Sequence, residues 1–166
     1  SKPWGQSPRP LFFLDRFQKR RGLKYRGTGV MIFDGTSSSP IVNALTVDVE
    51  DYFHVALFEQ HVSDDRWSTM EHRVEGNTDR ILELLDRKGI SGTFFILGWV
   101  AERFPGLVRR IADQGHEVAS HGMRHRRVTT QSREEFFQDA SRCKQILEEV
   151  SGTAVLGYRA STYSIG

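Results

Sequence analysis

The 166-residue chain is 38% hydrophobic and 27% charged, with a net charge of +2, which is the make-up of an ordinary globular domain with room for one core. No uninterrupted run of about 18 apolar residues occurs, which argues against a membrane-spanning helix. A single cysteine, Cys143, excludes an intrachain disulfide.

Charge is unevenly divided. Residues 1–40 carry eight Lys/Arg against two Asp/Glu, whereas residues 41–166 carry fifteen against nineteen. The first stretch has no clear period and reads as a basic leader. Its apolar cluster, Leu11 to Leu14, is too short for the core of a secretory signal, and the basic residues follow it instead of preceding it. Lys19, Arg20, Arg21, Lys24 and Arg26 would suit a nucleic acid or an anionic glycan by charge alone. A plain leader is the expectation, with no nucleic-acid partner. The chain begins at Ser1 without an initiator Met, so its true N-terminus is expected upstream.

Ser37-Ser38-Ser39-Pro40 marks a boundary. Beyond it, Ile41 to Val49 reads as a buried strand that ends in acidic residues. Residues 52–74 read as a long loop with one short helix. A helix should start at Asn77 or Thr78, present Ile81, Leu82, Leu84 and Leu85, and stop at Gly89. Thr93 to Leu97 is a second strand, with Trp99 in a helix after Gly98. Pro105 opens the next helix, which carries Leu107, Val108 and Ile111. Glu117 to Ser120 is a third strand. Ser132-Arg133-Glu134-Glu135 is a capping box for a long helix whose stripe is Phe136, Ala140, Cys143, Leu147 and Val150. Gly152 ends that helix, and Ala154 to Tyr158 is a fourth strand leading to Arg159. Strands alternating with helices predict an α/β fold with a parallel sheet. Functional residues in such folds gather where strands end.

Three polar clusters occupy predicted strand ends. In Thr46-Val47-Asp48-Val49-Glu50-Asp51, Asp48 and Glu50 are two apart and share a face in an extended strand. Their repulsion raises one pKa unless a cation neutralises them. In Ser120-His121-Gly122-Met123-Arg124-His125, two histidines four apart can reach one ion. In Tyr158-Arg159-Ala160-Ser161-Thr162-Tyr163-Ser164, the arginine can orient a carboxylate through a bidentate pair, with Asp48 the obvious partner. His116 is expected to pack or to stabilise a turn, and Cys143 to be a buried, inert thiol.

Taken in this order, the three clusters resemble the motifs of the NodB-homology polysaccharide deacetylases (carbohydrate esterase family 4). Asp-Val-Glu-Asp-Tyr-Phe is nearest to the branch associated with exosortase-linked exopolysaccharide loci. The resemblance implies Asp48 as base and Arg159 as the residue that positions it. It implies a divalent metal, most often Zn with Co, Ni or Mn as alternatives, held by His121, His125 and a carboxylate. The usual first motif has adjacent aspartates, so either Glu50 or Asp51 is the carboxylate: strand alternation favours Glu50, and a turn after Glu50 would present Asp51. Ser161 stands where this branch commonly has proline, loosening the turn behind Arg159. The implied fold is a (β/α) barrel of about seven strands, of which four are predicted, so the chain is expected to be a fragment lacking the later motifs and the general acid.

The implied reaction is metal-assisted removal of N-acetyl groups from a glycan, with a backbone N–H near Tyr52 aiding the anionic intermediate. Tyr52, Tyr163, Trp67 and Trp99 are candidates for stacking on sugar rings, although Trp99 is expected to pack inside. The rival readings are a cyclic amide or ureide hydrolase on the same fold, and a non-catalytic metal- or glycan-binding remnant.

Overall fold

The computed structural model describes residues 43–165, so the basic stretch 1–40 and its expected leader role lie outside the described residues. Three short strands, β1 (Thr46–Val49), β2 (Thr93–Ile96) and β3 (Glu117–Ser120), make one parallel sheet in that order. The register pairs Asp48 with Phe95 and Val49 with Ile96, then Ile96 with Ser120. The C-terminal ends of the strands are therefore level. Whatever follows Val49, Ile96 and Ser120 emerges on one edge of the sheet.

β1 is shorter than expected, since described residues 43–45 are not in a strand. The expected fourth strand also reduces to a single parallel bridge between Ser120 and Tyr158. Two backbone hydrogen bonds hold that crossing, from Ser120 N–H to the Gly157 carbonyl (2.9 Å) and from Arg159 N–H to the Ser120 carbonyl (2.9 Å). They suffice to bring Arg159 to the common edge.

Between β1 and β2 the chain makes two 3-10 turns, Tyr52–His54 and Asp64–Thr69, and then helix α1 (Val74–Lys88). α1 begins ahead of Asn77 and Thr78 because its cap comes from afar: Asp51 Oδ2 accepts from the Arg73 and Val74 amides at 2.8 and 3.1 Å. Gly89 stops it, as expected. Two helices, α2 (Gly98–Arg103) and α3 (Pro105–Asp113), follow β2, and the capping box at Ser132 opens α4 (Arg133–Ser151). α4 packs on β3, α2 and α3. Its buried face is Cys143, Ile146 and Leu147, with Phe136, Ala140 and Val150 half-buried. The core between sheet and helices includes Phe94, Ile96, Leu107, Val108, Ile111 and Leu147, each fully enclosed. No helix among the described residues is long and apolar enough to cross a membrane.

Candidate metal centre and catalytic cleft

Residue alternation decides what β1 delivers. Asp48 and Glu50 face the open edge, while Val49, Asp51 and Phe53 are buried on the other side. Asp51 keeps extended backbone angles (φ −97°, ψ 161°), so the alternation runs past the strand and the turn begins only at Tyr52. Glu50 and Asp51 thus part company. Glu50 joins His121 and His125, with one potential ligand atom from each lying within 4.8 Å of the others. Asp51 is 3% exposed and spends its carboxylate on the amides of Tyr52, Arg73 and Val74.

The histidines come from the loop after β3. His121 N–H continues the sheet to the Ile96 carbonyl (3.0 Å), and Gly98 and Trp99 donate to the carbonyls of Gly122 and Met123. Met123 N–H donates to Asp139 Oδ2 at 2.9 Å. Gly122 has φ +79°, and a Cβ there would lie 2.8 Å from Asp139 Oδ2, so only glycine fits. His125 itself sits at φ 52°, a left-handed conformation uncommon outside glycine that is found disproportionately at functional sites.

The electrostatics suit a cation. His121 Nδ1 lies 2.9 Å from the Arg159 carbonyl oxygen; a carbonyl can only accept, so Nδ1 carries the proton and Nε2 offers a lone pair. Glu50 Oε2 is 3.9 Å from that nitrogen and 3.2 Å from His125 Nε2. Burial, then the nearby Asp48, pushes the Glu50 carboxyl up to about 7. Burial, then His121, pushes the His125 imidazole down to about 4, and burial also lowers His121. Near neutral pH the cluster therefore holds uncharged imidazoles against a partly ionised Glu50, whose buried Oε2 has no hydrogen-bond partner among the described residues. Two uncharged imidazoles beside an orphaned buried oxygen form a poor hydrogen-bond network and a good ligand set for a divalent ion.

Beside the cluster, Arg159 Nη1 donates to Asp48 Oδ1. The predicted bidentate pair is instead a fork, because Nη2 donates to Thr46 Oγ1 at 2.8 Å. The guanidinium also lies over the Phe95 ring, 4.0 Å from its centroid. Asp48 Oδ2 accepts no hydrogen bond from the described residues. Asp48, Glu50, His121, His125 and Arg159 together line a cleft of about 170 Å³ with Val55, Ala56, Ala160, Thr162 and Tyr163.

Of the proposed sugar contacts, Tyr163 lines this cleft and is 76% exposed. Tyr52 does not line it; its ring meets Phe53, Phe58 and Arg73, and its amide is committed to Asp51. Trp67 is buried against Phe53, His54 and Trp99, which removes it from any sugar face and leaves Trp99 packed as expected. His116 packs on Phe94 and accepts the Gly92 amide. Burial lifts the Cys143 thiol to about 11. Sequence reasoning missed Val55 and Ala56, apolar loop residues without a chemical signal, and gave no role to Thr162 within the third cluster. Ser161 is buried, and its carbonyl accepts the Ser164 and Thr162 hydroxyls. Thr162 and Tyr163 follow with φ of 52° and 53°.

Comparison with known proteins places the chain in a family. The peptidoglycan-N-acetylglucosamine deacetylase of Bacillus cereus is 34% identical over 77 residues, 46% of this chain and 28% of that protein. The chitooligosaccharide deacetylase of Rhizobium leguminosarum bv. trifolii is 37% identical over 81 residues, 47% of this chain and 38% of that one. A crystal structure of a Mycobacterium smegmatis protein classed among the polysaccharide deacetylases superposes with a TM-score of 0.63 at 35% identity, covering 74% of this chain and 44% of that one. In each case the match spans less than half of the relative. The family model for polysaccharide deacetylases matches residues 62–165, and the chain belongs to that family.

Proposed function

We propose that this chain carries the metal centre and base of a hydrolase that removes N-acetyl groups from a glycan. The observation that carries the reading is the Glu50–His121–His125 cluster opening onto the same cleft as the Asp48–Arg159 pair. Glu50, His121 and His125 would hold a divalent ion, most simply Zn²⁺ given two imidazoles and a carboxylate. Such an ion supplies Lewis-acid polarisation of an acyl oxygen and lowers the pKa of water.

The chain's own residues do the rest. Asp48 Oδ2, without a partner among the described residues, takes the proton of the attacking water, while Arg159 fixes Oδ1 and favours the carboxylate form. Thr46 and Phe95 in turn hold Arg159, so the base cannot swing out of the cleft. Val55, Ala56 and Ala160 give the cleft small apolar walls beside the reacting centre, which suit an acetyl methyl group. Tyr163, exposed at the rim, offers a ring face to a sugar. The Bacillus relative is named for deacetylation of peptidoglycan N-acetylglucosamine and the Rhizobium relative for deacetylation of chitooligosaccharide, which supports the same bond type here.

The test is acetate release from N-acetylglucosamine oligomers by the zinc-loaded chain and by Asp48→Asn. The substitution is expected to lower turnover by roughly 10²–10⁴-fold, the usual worth of a general base, with zinc affinity kept. Equal acetate release by both proteins would remove Asp48 from the role of base.

A further inference from the structure

Asp51 and His54 are used by no step above, yet both are almost completely buried. They form a reciprocal box. Asp51 N–H donates to His54 Nδ1 at 2.8 Å, and the Asp51 side chain caps the same turn through the Tyr52 amide. The second carboxylate oxygen of Asp51 reaches 22 and 23 residues along the chain to the amides that start α1. One side chain thus ties the end of β1 to the N-terminus of a helix. The His54 ring is wedged edge-on between Trp67 and Trp99, at centroid distances of 4.5 and 4.9 Å, so the box cannot rotate.

We propose that Asp51 and His54 are positioning residues for the metal centre, fixing the direction in which Glu50 points. Asp51 is adjacent to Glu50 and faces the opposite side of the extended backbone. Anchoring its carboxylate on α1 holds the peptide plane between them, and with it the Glu50 Cα–Cβ direction toward His121 and His125. Only one of the two neighbouring carboxylates can enter the cleft, and the Asp51 anchor selects which. His54 secures the other end of the turn by accepting the Asp51 amide. The inference rests on the proposed role of Glu50 as a ligand.

The experiment is Co²⁺ titration of the full chain, reading affinity and the visible d–d spectrum, alongside thermal melting of the metal-free protein. Glu50→Gln gives the spectrum of a centre without its carboxylate. Asp51→Asn, which turns a donor toward the α1 amides, and His54→Leu are each expected to weaken Co²⁺ binding by roughly 10–100-fold, the usual effect of displacing a residue that orients a ligand. Their spectra should move toward that of Glu50→Gln. His54→Gln, whose amide oxygen can still accept the Asp51 N–H, should restore most of the affinity. Leu82→Ala, a cavity in α1 away from the turn, should lower the melting temperature and leave the spectrum unchanged.

If Asp51→Asn does not fold, the His54→Leu and His54→Gln pair decides alone. The proposal is overturned if the variants melt lower but bind Co²⁺ with the parent's affinity and spectrum. A parent-like spectrum in Glu50→Gln would instead remove Glu50 from the centre, and the positioning role with it.

Discussion

Replacing Glu50 by Gln should stabilise the metal-free protein while destroying the proposed metal site. The carboxylate is 18% exposed, and its Oε2 lies 3.9 and 3.2 Å from the Nε2 atoms of His121 and His125, two uncharged imidazoles. The folded state raises the Glu50 pKa from its ordinary 4.5 to about 7, which corresponds to a penalty on the ionised form on the order of 3 kcal/mol. A group with a raised folded-state pKa contributes most below its unfolded value, and that contribution is lost as pH rises through the folded one. The wild type therefore carries the full penalty near pH 8 and little of it near pH 4. Gln has the same shape, never ionises, and can donate an N–H to His125 Nε2. In chelator at pH 8, Glu50→Gln should melt up to roughly 10 °C higher than the wild type, and the two curves should converge near pH 4. Excess Zn²⁺ should reverse the order, raising the wild type by mass action and the variant far less. A variant less stable than the parent at pH 8, and equally stabilised by zinc, would refute the placement of Glu50 between the histidines.

Two further predictions concern the surroundings of the site. Burial lifts the Cys143 thiol to about 11, and its Sγ sits 3.6 Å from the Ile96 carbonyl. An aromatic disulfide reagent at pH 8 should leave native Cys143 unmodified and label it fully in guanidinium; rapid labelling of the native chain would show that α4 is not packed as described. Gly122→Ala places a Cβ at φ +79° against Asp139 Oδ2. It should cost about 1–3 kcal/mol in urea unfolding and weaken zinc binding, whereas unchanged stability would mean that the histidine loop is not held by Asp139.

Features set by neighbouring residues were legible in the sequence. Gly89 and Gly152 end their helices, and the Ser132–Glu135 box opens α4 through contacts three residues apart. The parallel order of β1 to β3 and the gathering of Asp48, His121, His125 and Arg159 followed from strands delivering polar clusters to one edge. Features set at long range were not legible. The start of α1 depends on Asp51, which no local pattern links to Val74. The same contact occupies the Asp51 carboxylate and leaves Glu50 beside the two histidines, an arrangement that strand alternation could favour but not settle while the turn's starting point was open. Trp67 read as a sugar platform because aromatic residues in a loop look alike whether they face solvent or a cage of His54, Phe53 and Trp99. Ala154 to Tyr158 has strand-like residues, but a ladder needs a partner along its length, and only Tyr158 finds one.

The most direct test of the metal centre is zinc titration of the purified chain beside His121→Ala and His125→Ala, followed by calorimetry with competition from a chelator. One Zn²⁺ per chain, lost or strongly weakened in both variants, is the expected result. A folded wild type that binds no zinc, or variants that bind it as tightly as the parent, would contradict a centre built from Glu50, His121 and His125.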